Sequence, residues 1–476
     1  PIICQPNGKT CVSETQFKQC NSDGTELSIT QSCPNSAASG QPETCYGGEC
    51  NSECEMSAIN RSYMGCDYYA IELHNYNGGY TNGSYAIIIS NPSLFTASVT
   101  ISDTNANTYT RNVNPNTVEI FDVVDHQIRN TAKGTQYAWH IVSNIPIIAY
   151  QFSPLGGSTN YTNDASILVP TTAYDYQYRV MTWGSSSGYF TIIAKEDNTT
   201  VSITPKINTA AGTNISAMTA NVTSQINLSA GETIQILANA TGDLSGTLID
   251  SNKPIGVFGG HPCLNYPSDK CCCDHIEEQL FSTNTWGTNY ISVKTNPRNT
   301  ETEYYKIVAN ENNTTITLNP AVATVPTLNA GGVYEFNTNQ DFTITATKPI
   351  MVSQLMASQQ AGADTGDPSF ILQVPVEQYR SDYLFLVPNT YAYDYVTIVA
   401  PKQTNGTVVN VWLDGNLLSD SDFTNIGTSN YKRARKVLTD GSHSVISDEP
   451  VGISVYGYDQ YVSYGYPGGL DLKSVK

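Results

Sequence analysis

From about residue 55 onward the chain consists of short runs rich in Val, Ile, Thr, Tyr and Phe that alternate with polar residues and are broken by Gly, Asn, Asp and Pro. Period-two alternation gives a strand one buried and one wet face, and the interrupting residues supply turns, so these runs predict strands. Phe190-Thr-Ile-Ile-Ala194, Thr200-Val-Ser-Ile-Thr204, Thr233-Ile-Gln-Ile-Leu237 and Tyr395-Val-Thr-Ile-Val399 are examples. No segment keeps a helical period for more than about two turns, so helix is minor. Residues 1–54 lack apolar periodicity and carry turn pairs such as Asn7-Gly8, Asp23-Gly24 and Gly47-Gly48. That stretch is too poor in core to fold without covalent staples.

The pattern repeats. Tyr189-Phe-Thr-Ile-Ile-Ala194 followed by Thr199-Thr-Val-Ser-Ile203 aligns with Tyr304-Tyr-Lys-Ile-Val-Ala309 followed by Thr314-Thr-Ile-Thr-Leu318. Fainter copies begin at Tyr395 and Tyr85, and each reads as a β-hairpin. An apolar strand opened by proline recurs at Pro146, Pro254, Pro349 and Pro450, and an Ile-Leu-Val-Pro-like segment opens each unit. The fold expected is all-β: four tandem β-sandwich-like units of about 100 residues after a small disulfide-rich module, or alternatively a fourfold propeller-like ring. The expected boundaries are residues 1–54 for the module and 55–160, 161–262, 263–360 and 361–476 for the units.

Eight of the twelve cysteines, Cys4, Cys11, Cys20, Cys33, Cys45, Cys50, Cys54 and Cys66, fall in the first 66 residues, and Cys263, Cys271, Cys272 and Cys273 form a second cluster. Even numbers in tight groups predict disulfides made in an oxidising compartment, and the spacing does not repeat the paired pattern of zinc ligands. Sequons at Asn60, Asn82, Asn160, Asn198, Asn214, Asn221, Asn227, Asn239, Asn312, Asn313 and Asn405 fit a secreted protein. The net charge of -19 makes nucleic acid and anionic membrane surfaces poor partners. No apolar run is long enough to predict a transmembrane helix, and the start, Pro1-Ile-Ile-Cys4, reads as that of a mature or trimmed product.

The densest constellation is His261-Pro-Cys-Leu-Asn265 through Cys271-Cys-Cys-Asp-His-Ile-Glu-Glu-Gln-Leu280. Its His, Cys and carboxylate side chains could hold zinc, but two disulfides stapling an insertion between units is the better reading. Because adjacent cysteines pair with strained geometry, one of the three is expected to bridge elsewhere. Gly184-Ser-Ser-Ser-Gly188 matches a hydrolase elbow, yet a strand follows it where a helix is required. Asp103-Thr-Asn-Ala-Asn107 resembles a calcium loop without its glycine and final glutamate, and reads as a surface turn. Gly366-Asp-Pro368 is read as a turn without chemistry. The tyrosine pairs Tyr456/Tyr458 and Tyr464/Tyr466 are placed in loops, suited either to a contact surface or to strand packing.

The stretch His261, Cys263, Asp274-His275 with Glu278-Gln279, then Trp286-Gly287, resembles the N-terminal domain of IgGFc-binding proteins, over roughly residues 65 to 460. The cysteine-rich first 54 residues resemble those of bacterial-type members. The resemblance implies a secreted, non-catalytic protein without a cofactor. The chain departs from the family pattern at Phe281-Ser282, where prolines are usual, and at the triple cysteine. The function expected is a structural or adhesive extracellular or cell-surface protein that partners with itself as an oligomer or fibril. The alternative is a module binding an extracellular glycoprotein or glycan, and a secreted hydrolase is the remote third reading.

Overall fold

The computed structural model describes residues 5, 7–25, 27–76, 85–156, 162–184, 187–239 and 242–475. The chain is all-β, with one eight-residue helix, Glu53–Asn60, and a few single 3-10 turns among the described residues. Ser52 caps that helix and forms a capping box with Glu55, satisfying amide groups that the first turn leaves free.

Each unit consists of two sheets that share one long strand. In the first unit Ala138–Phe152 pairs through its first half with Gly65–Ile71 and Ala97–Ser102, and through its second half with Ala86–Asn91 and Ala165–Ile167. Leu248–Leu264 repeats this with Asp175–Arg179 and Thr199–Thr204, then with Tyr189–Ala194 and Asp274–Gln279. Gly441–Asp459 does so with Arg380–Val387 and Val411–Leu413, then with Tyr393–Pro401 and Val462–Pro467. The third unit splits the long strand into Phe342–Ala346 and Ile350–Leu355 but keeps the same partners.

Two expectations are corrected by this topology. The repeated strand-turn-strand segment is not a hairpin: Tyr189–Ala194 and Thr199–Thr204 never pair with each other and enter opposite sheets. The segment is an arch across the sandwich. Burial explains the choice, since Tyr189–Ala194 is buried on both faces whereas Thr199–Thr204 alternates buried and half-exposed. Three of the four recurrent prolines also do not open strands, while Pro349 directly precedes the strand Ile350–Leu355. Pro146, Pro254 and Pro450 sit inside the long strands, where pairing breaks register between Val142 and Ile147, between Asp250 and Ile255, and between Ile446 and Val451. A residue without an amide hydrogen fits where a strand leaves one sheet for the other.

The last strand to join each unit by pairing, Ala165–Ile167, Asp274–Gln279, Phe370–Leu372 and Val462–Pro467, is buried throughout, so units counted by strand pairing run past the boundaries expected after residues 160, 262 and 360. These four strands touch in a closed cycle, first to second, second to third, third to fourth and fourth to first. The units therefore surround a common axis. The end of the chain locks the closure: Ser62 bridges Asp471, and the Leu472 amide donates to the Arg61 carbonyl at 2.7 Å.

The tyrosines of the fourth unit line this axis instead of a loop surface. Tyr456, Tyr458, Tyr464 and Tyr466 are at most 2% exposed, so strand packing accounts for them. Their hydroxyls keep partners, Tyr464 donating to Asp394 at 2.7 Å and Tyr456 accepting the Asn296 amide at 2.9 Å.

The N-terminal module has its own small core of Phe17, Cys33 and Cys45. Disulfides Cys11–Cys45 and Cys33–Cys50 staple it, and Cys54–Cys66 ties the helix to the first strand of unit one. Cys20 is also disulfide-bonded, and Cys4 lies outside the described residues.

Candidate functional site

The family-like motif folds as one strand. Asp274–Gln279 is the axial strand of the second unit, and all six side chains are buried. It pairs antiparallel with the end of Leu248–Leu264, His261 opposite Ile276 and Leu264 opposite Asp274. The cysteine-rich segment, expected as an insertion between units, is thus the loop of a hairpin. Cys263–Cys273 staples the base of that loop. Cys271 pairs with its neighbour Cys272, where the sequence pointed to a more distant partner.

Polar side chains of the motif stitch three units together. Glu278 accepts the Ser166 hydroxyl at 3.0 Å from unit one and the Leu372 amide at 3.3 Å from unit three. Gln279 accepts the Val169 amide at 2.7 Å, and its own amide donates to Ser166 at 2.8 Å. Asp274 accepts the Asn163 amide. Asp164 works from the other side, accepting the Glu277 amide at 3.2 Å, the Phe370 amide at 3.1 Å and the Ser369 hydroxyl at 2.8 Å. Asp367 accepts the Gln359 amide at 3.1 Å, and its amide donates to Ser463 in the fourth unit at 2.8 Å.

Burial sets the charge state. It pushes the carboxyls of Asp164, Asp274, Glu277, Glu278 and Asp367 well above the usual carboxylate range, because a dry site penalises the ionised form. His275 is driven down to about 3 by the same desolvation. The 3.1 Å contact between His275 Nε2 and Glu277 is therefore a hydrogen bond between two neutral groups and not an ion pair. Nearby, Glu72 is raised to about 8 and His74 lowered to about 4.

The remaining motif residues also hold structure. His261 is buried and accepts the Cys263 amide at 3.0 Å on Nδ1. Trp286 follows a short 3-10 turn, is 2% exposed, and donates from Nε1 to the Phe281 carbonyl at 3.0 Å. A Cβ on Gly287 would lie 2.5 Å from Pro375 Cβ and 2.4 Å from a Glu377 oxygen, so the close passage of the segment leading into unit three against the one leading into unit four requires glycine. Ser282, standing where Pro170 and Pro375 stand in neighbouring units, precedes the turn Thr283–Thr285 and donates to Asp175 at 3.2 Å.

Among the described residues no group of three or more His, Cys, Asp and Glu side chains is placed to hold a metal ion. No helix among them is long and apolar enough to cross a membrane. Ser185 and Ser186 of the elbow-like match lie outside the described residues, and the strand Tyr189–Ala194 follows it. Asp103 collects the Asn105 and Asn107 amides and contacts His126 Nε2 at 2.6 Å, the geometry of a closed surface turn.

Nine sequon asparagines fall among the described residues, Asn60, Asn198, Asn214, Asn221, Asn227, Asn239, Asn312, Asn313 and Asn405, and all are exposed. Asn198, Asn214, Asn221 and Asn313 adopt positive φ, so turn geometry alone already favours asparagine there. Asn82 and Asn160 lie outside the described residues.

Asp164 is an axial residue that the sequence did not single out, Glu277 stood in the dense constellation without a role of its own, and Asp367, expected in a turn without chemistry, joins the axial network. A signal existed for one of them: Asp367 stands eight residues before Pro375, as Asp274 stands eight before Ser282.

Fold and site together define a disulfide-stapled β scaffold whose buried polar residues serve assembly. A family model described as IgGFc binding protein matches residues 164–457, more than half of the chain, and the chain belongs to that family. It is similar to the IgGFc-binding protein of Homo sapiens, 24% identical over 321 residues. The aligned part is 64% of this chain and 6% of that protein, so the chain spans a small fraction of its relative's length.

Proposed function

We propose that this chain is a non-catalytic extracellular binding module whose ligand is an extracellular glycoprotein. The observation that carries the reading is the state of the axis. The acids and imidazole that a catalytic centre would use are buried, neutral and largely engaged in hydrogen bonds between units. Family membership adds a binding role by name, and the disulfides fit an oxidising compartment. The ligand class follows from the human relative, whose name specifies the Fc part of immunoglobulin G, itself a glycoprotein. The test is surface plasmon resonance on the immobilised, non-reduced chain with human IgG Fc and with purified mucin glycoprotein as analytes. Saturable binding of either supports the reading. Absence of binding by both, together with turnover of ester or glycoside substrates, contradicts it.

A second reading, a self-assembling adhesive or surface subunit, draws on the N-terminal module. It exposes Val12, Leu27, Ile29 and Tyr46, with Ile29 85% accessible, although a domain this small needs its apolar residues inside. Light scattering decides it: filaments or large particles favour assembly, and a monodisperse monomer removes it. The bacterial-type affiliation rests on the same cysteine-rich module, and the four-unit division on the sheet pairing.

A further inference from the structure

The inner sheet of the third unit breaks the repeat at one position. Where the other units carry Ile87, Thr191 and Thr397, the third carries Lys306, cross-strand from Glu335. The ammonium is buried, donates to the Thr182 carbonyl at 2.9 Å, and pairs with Asp243 of unit two and with Glu335 at 3.4 Å. It also lies 4.3 Å from the centre of the Trp183 ring. Burying a lysine between two carboxylates costs desolvation that a neutral residue there avoids, so its presence in a single copy calls for a reason.

Above this ion pair opens a cleft of about 490 Å³ between units two and three. Its walls are the half-buried rings of Tyr266 and Tyr304, packed edge to face at 4.6 Å, with Trp183 behind Tyr266 at 5.5 Å. The equivalent tyrosines Tyr85 and Tyr189 are closed in the core, at 1% and 0% exposure, whereas Tyr304, like Tyr395 of the fourth unit, is only half-buried. The rim carries the exposed amides of Asn265 and Asn337 beside the partly exposed carboxylates of Asp243 and Glu335.

We propose that this cleft is a subsite for a neutral saccharide. Sugar rings present an apolar face of C–H groups, which packs on tyrosine, and an edge of hydroxyls that both donate and accept. The carboxamides of Asn265 and Asn337 answer that edge, since Asp243 and Glu335 are already engaged by Lys306, Thr182, Ser245 and the Tyr266 hydroxyl, and few polar groups among aromatic walls is the make-up of a small-ligand site. The cleft's lysine is consumed from below, which leaves no free cation for an acidic or sulfated sugar. Lys306 and Trp183 are positioning residues: they hold the carboxylates and the ring wall in place.

The inference rests on the binding-module reading and names its ligand chemistry. The test is saturation-transfer NMR on the full non-reduced chain with N,N′-diacetylchitobiose, N-acetyllactosamine and methyl α-mannoside. Saturation transfer to the ring protons of at least one sugar is expected, with affinity falling about tenfold or more in Tyr304→Ala and in Asn337→Ala. Asn337 is exposed, so its variant keeps the parent's unfolding midpoint and separates recognition from folding. No transfer to any of the three sugars, or transfer unchanged in Asn337→Ala and Tyr304→Ala, overturns the subsite. Capture of Fc or mucin glycoprotein that persists under either negative result leaves the binding-module reading standing and removes only this cleft.

Discussion

Replacing Glu278 by alanine tests the axis most sharply, because one side chain bonds two other units. The substitution leaves the Leu372 amide buried without a partner, at about 1–3 kcal/mol. The Ser166 hydroxyl loses less, since it also reaches the Ile167 carbonyl at 3.0 Å. The space vacated by a buried side chain adds a term of about 2 kcal/mol or more. The expected total is roughly 3–5 kcal/mol. Glu278→Gln behaves differently. Its carbonyl can still accept from Leu372 and its amino group can donate to Ser166, so it is expected to cost under about 1 kcal/mol near pH 6. The assay is urea unfolding followed by tryptophan fluorescence, with Trp139, Trp183 and Trp286 buried as reporters. An alanine variant within about 1 kcal/mol of the parent would refute a stabilising link between units. A glutamine variant as damaged as the alanine one would refute the neutral acid.

Other perturbations follow from the same geometry. The axial carboxyls and Glu72 have folded values raised above unfolded ones, so their contribution is complete below the unfolded carboxylate range and is lost as pH rises. His74 and His275 carry the opposite sign, their contribution lost as pH falls through the unfolded imidazole value, and their titration is nearly complete above about pH 7.5. Stability should therefore fall between about pH 7.5 and 8.5, by up to about 1.4 kcal/mol per pH unit per group, and with it the thermal midpoint; a rise would contradict the assignment. Cys54→Ser with Cys66→Ser opens a loop of sequence separation 12 and should cost about 3 kcal/mol, seen as earlier tryptic release of the N-terminal module. Trp286→Ala should cost about 3–5 kcal/mol through cavity formation and a lost bond to Phe281, measured by the same urea titration.

Strand content and the repeat were legible because burial on one face imposes period two and because copies of one unit retain it. What the pattern could not convey was partner choice. The run Tyr189–Ala194 followed by Thr199–Thr204 has the same local signature as a hairpin or as an arch, and only the continuous burial of the first strand distinguishes them. The prolines at 146, 254 and 450 marked the repeat correctly but not their place in it, since a strand crossing between sheets resembles a strand start. The motif Asp274–Gln279 was conspicuous as polar chemistry, yet its role depends on Ser166, Asp164 and Leu372, which lie about a hundred residues away on either side. Tyr456 and Tyr464, flanking glycines in a polar context, looked like loop residues because a strand buried on both faces here uses tyrosine hydroxyls bonded inside.

The family motif is a structural axis that joins neighbouring units. Hydrogen–deuterium exchange on the native, non-reduced chain addresses it directly. The account predicts that peptides covering residues 165–167, 274–279 and 370–372 exchange most slowly and lose protection together in Glu278→Ala. Fast exchange of 274–279 in the parent, or loss of protection confined to that segment in the variant, would contradict it.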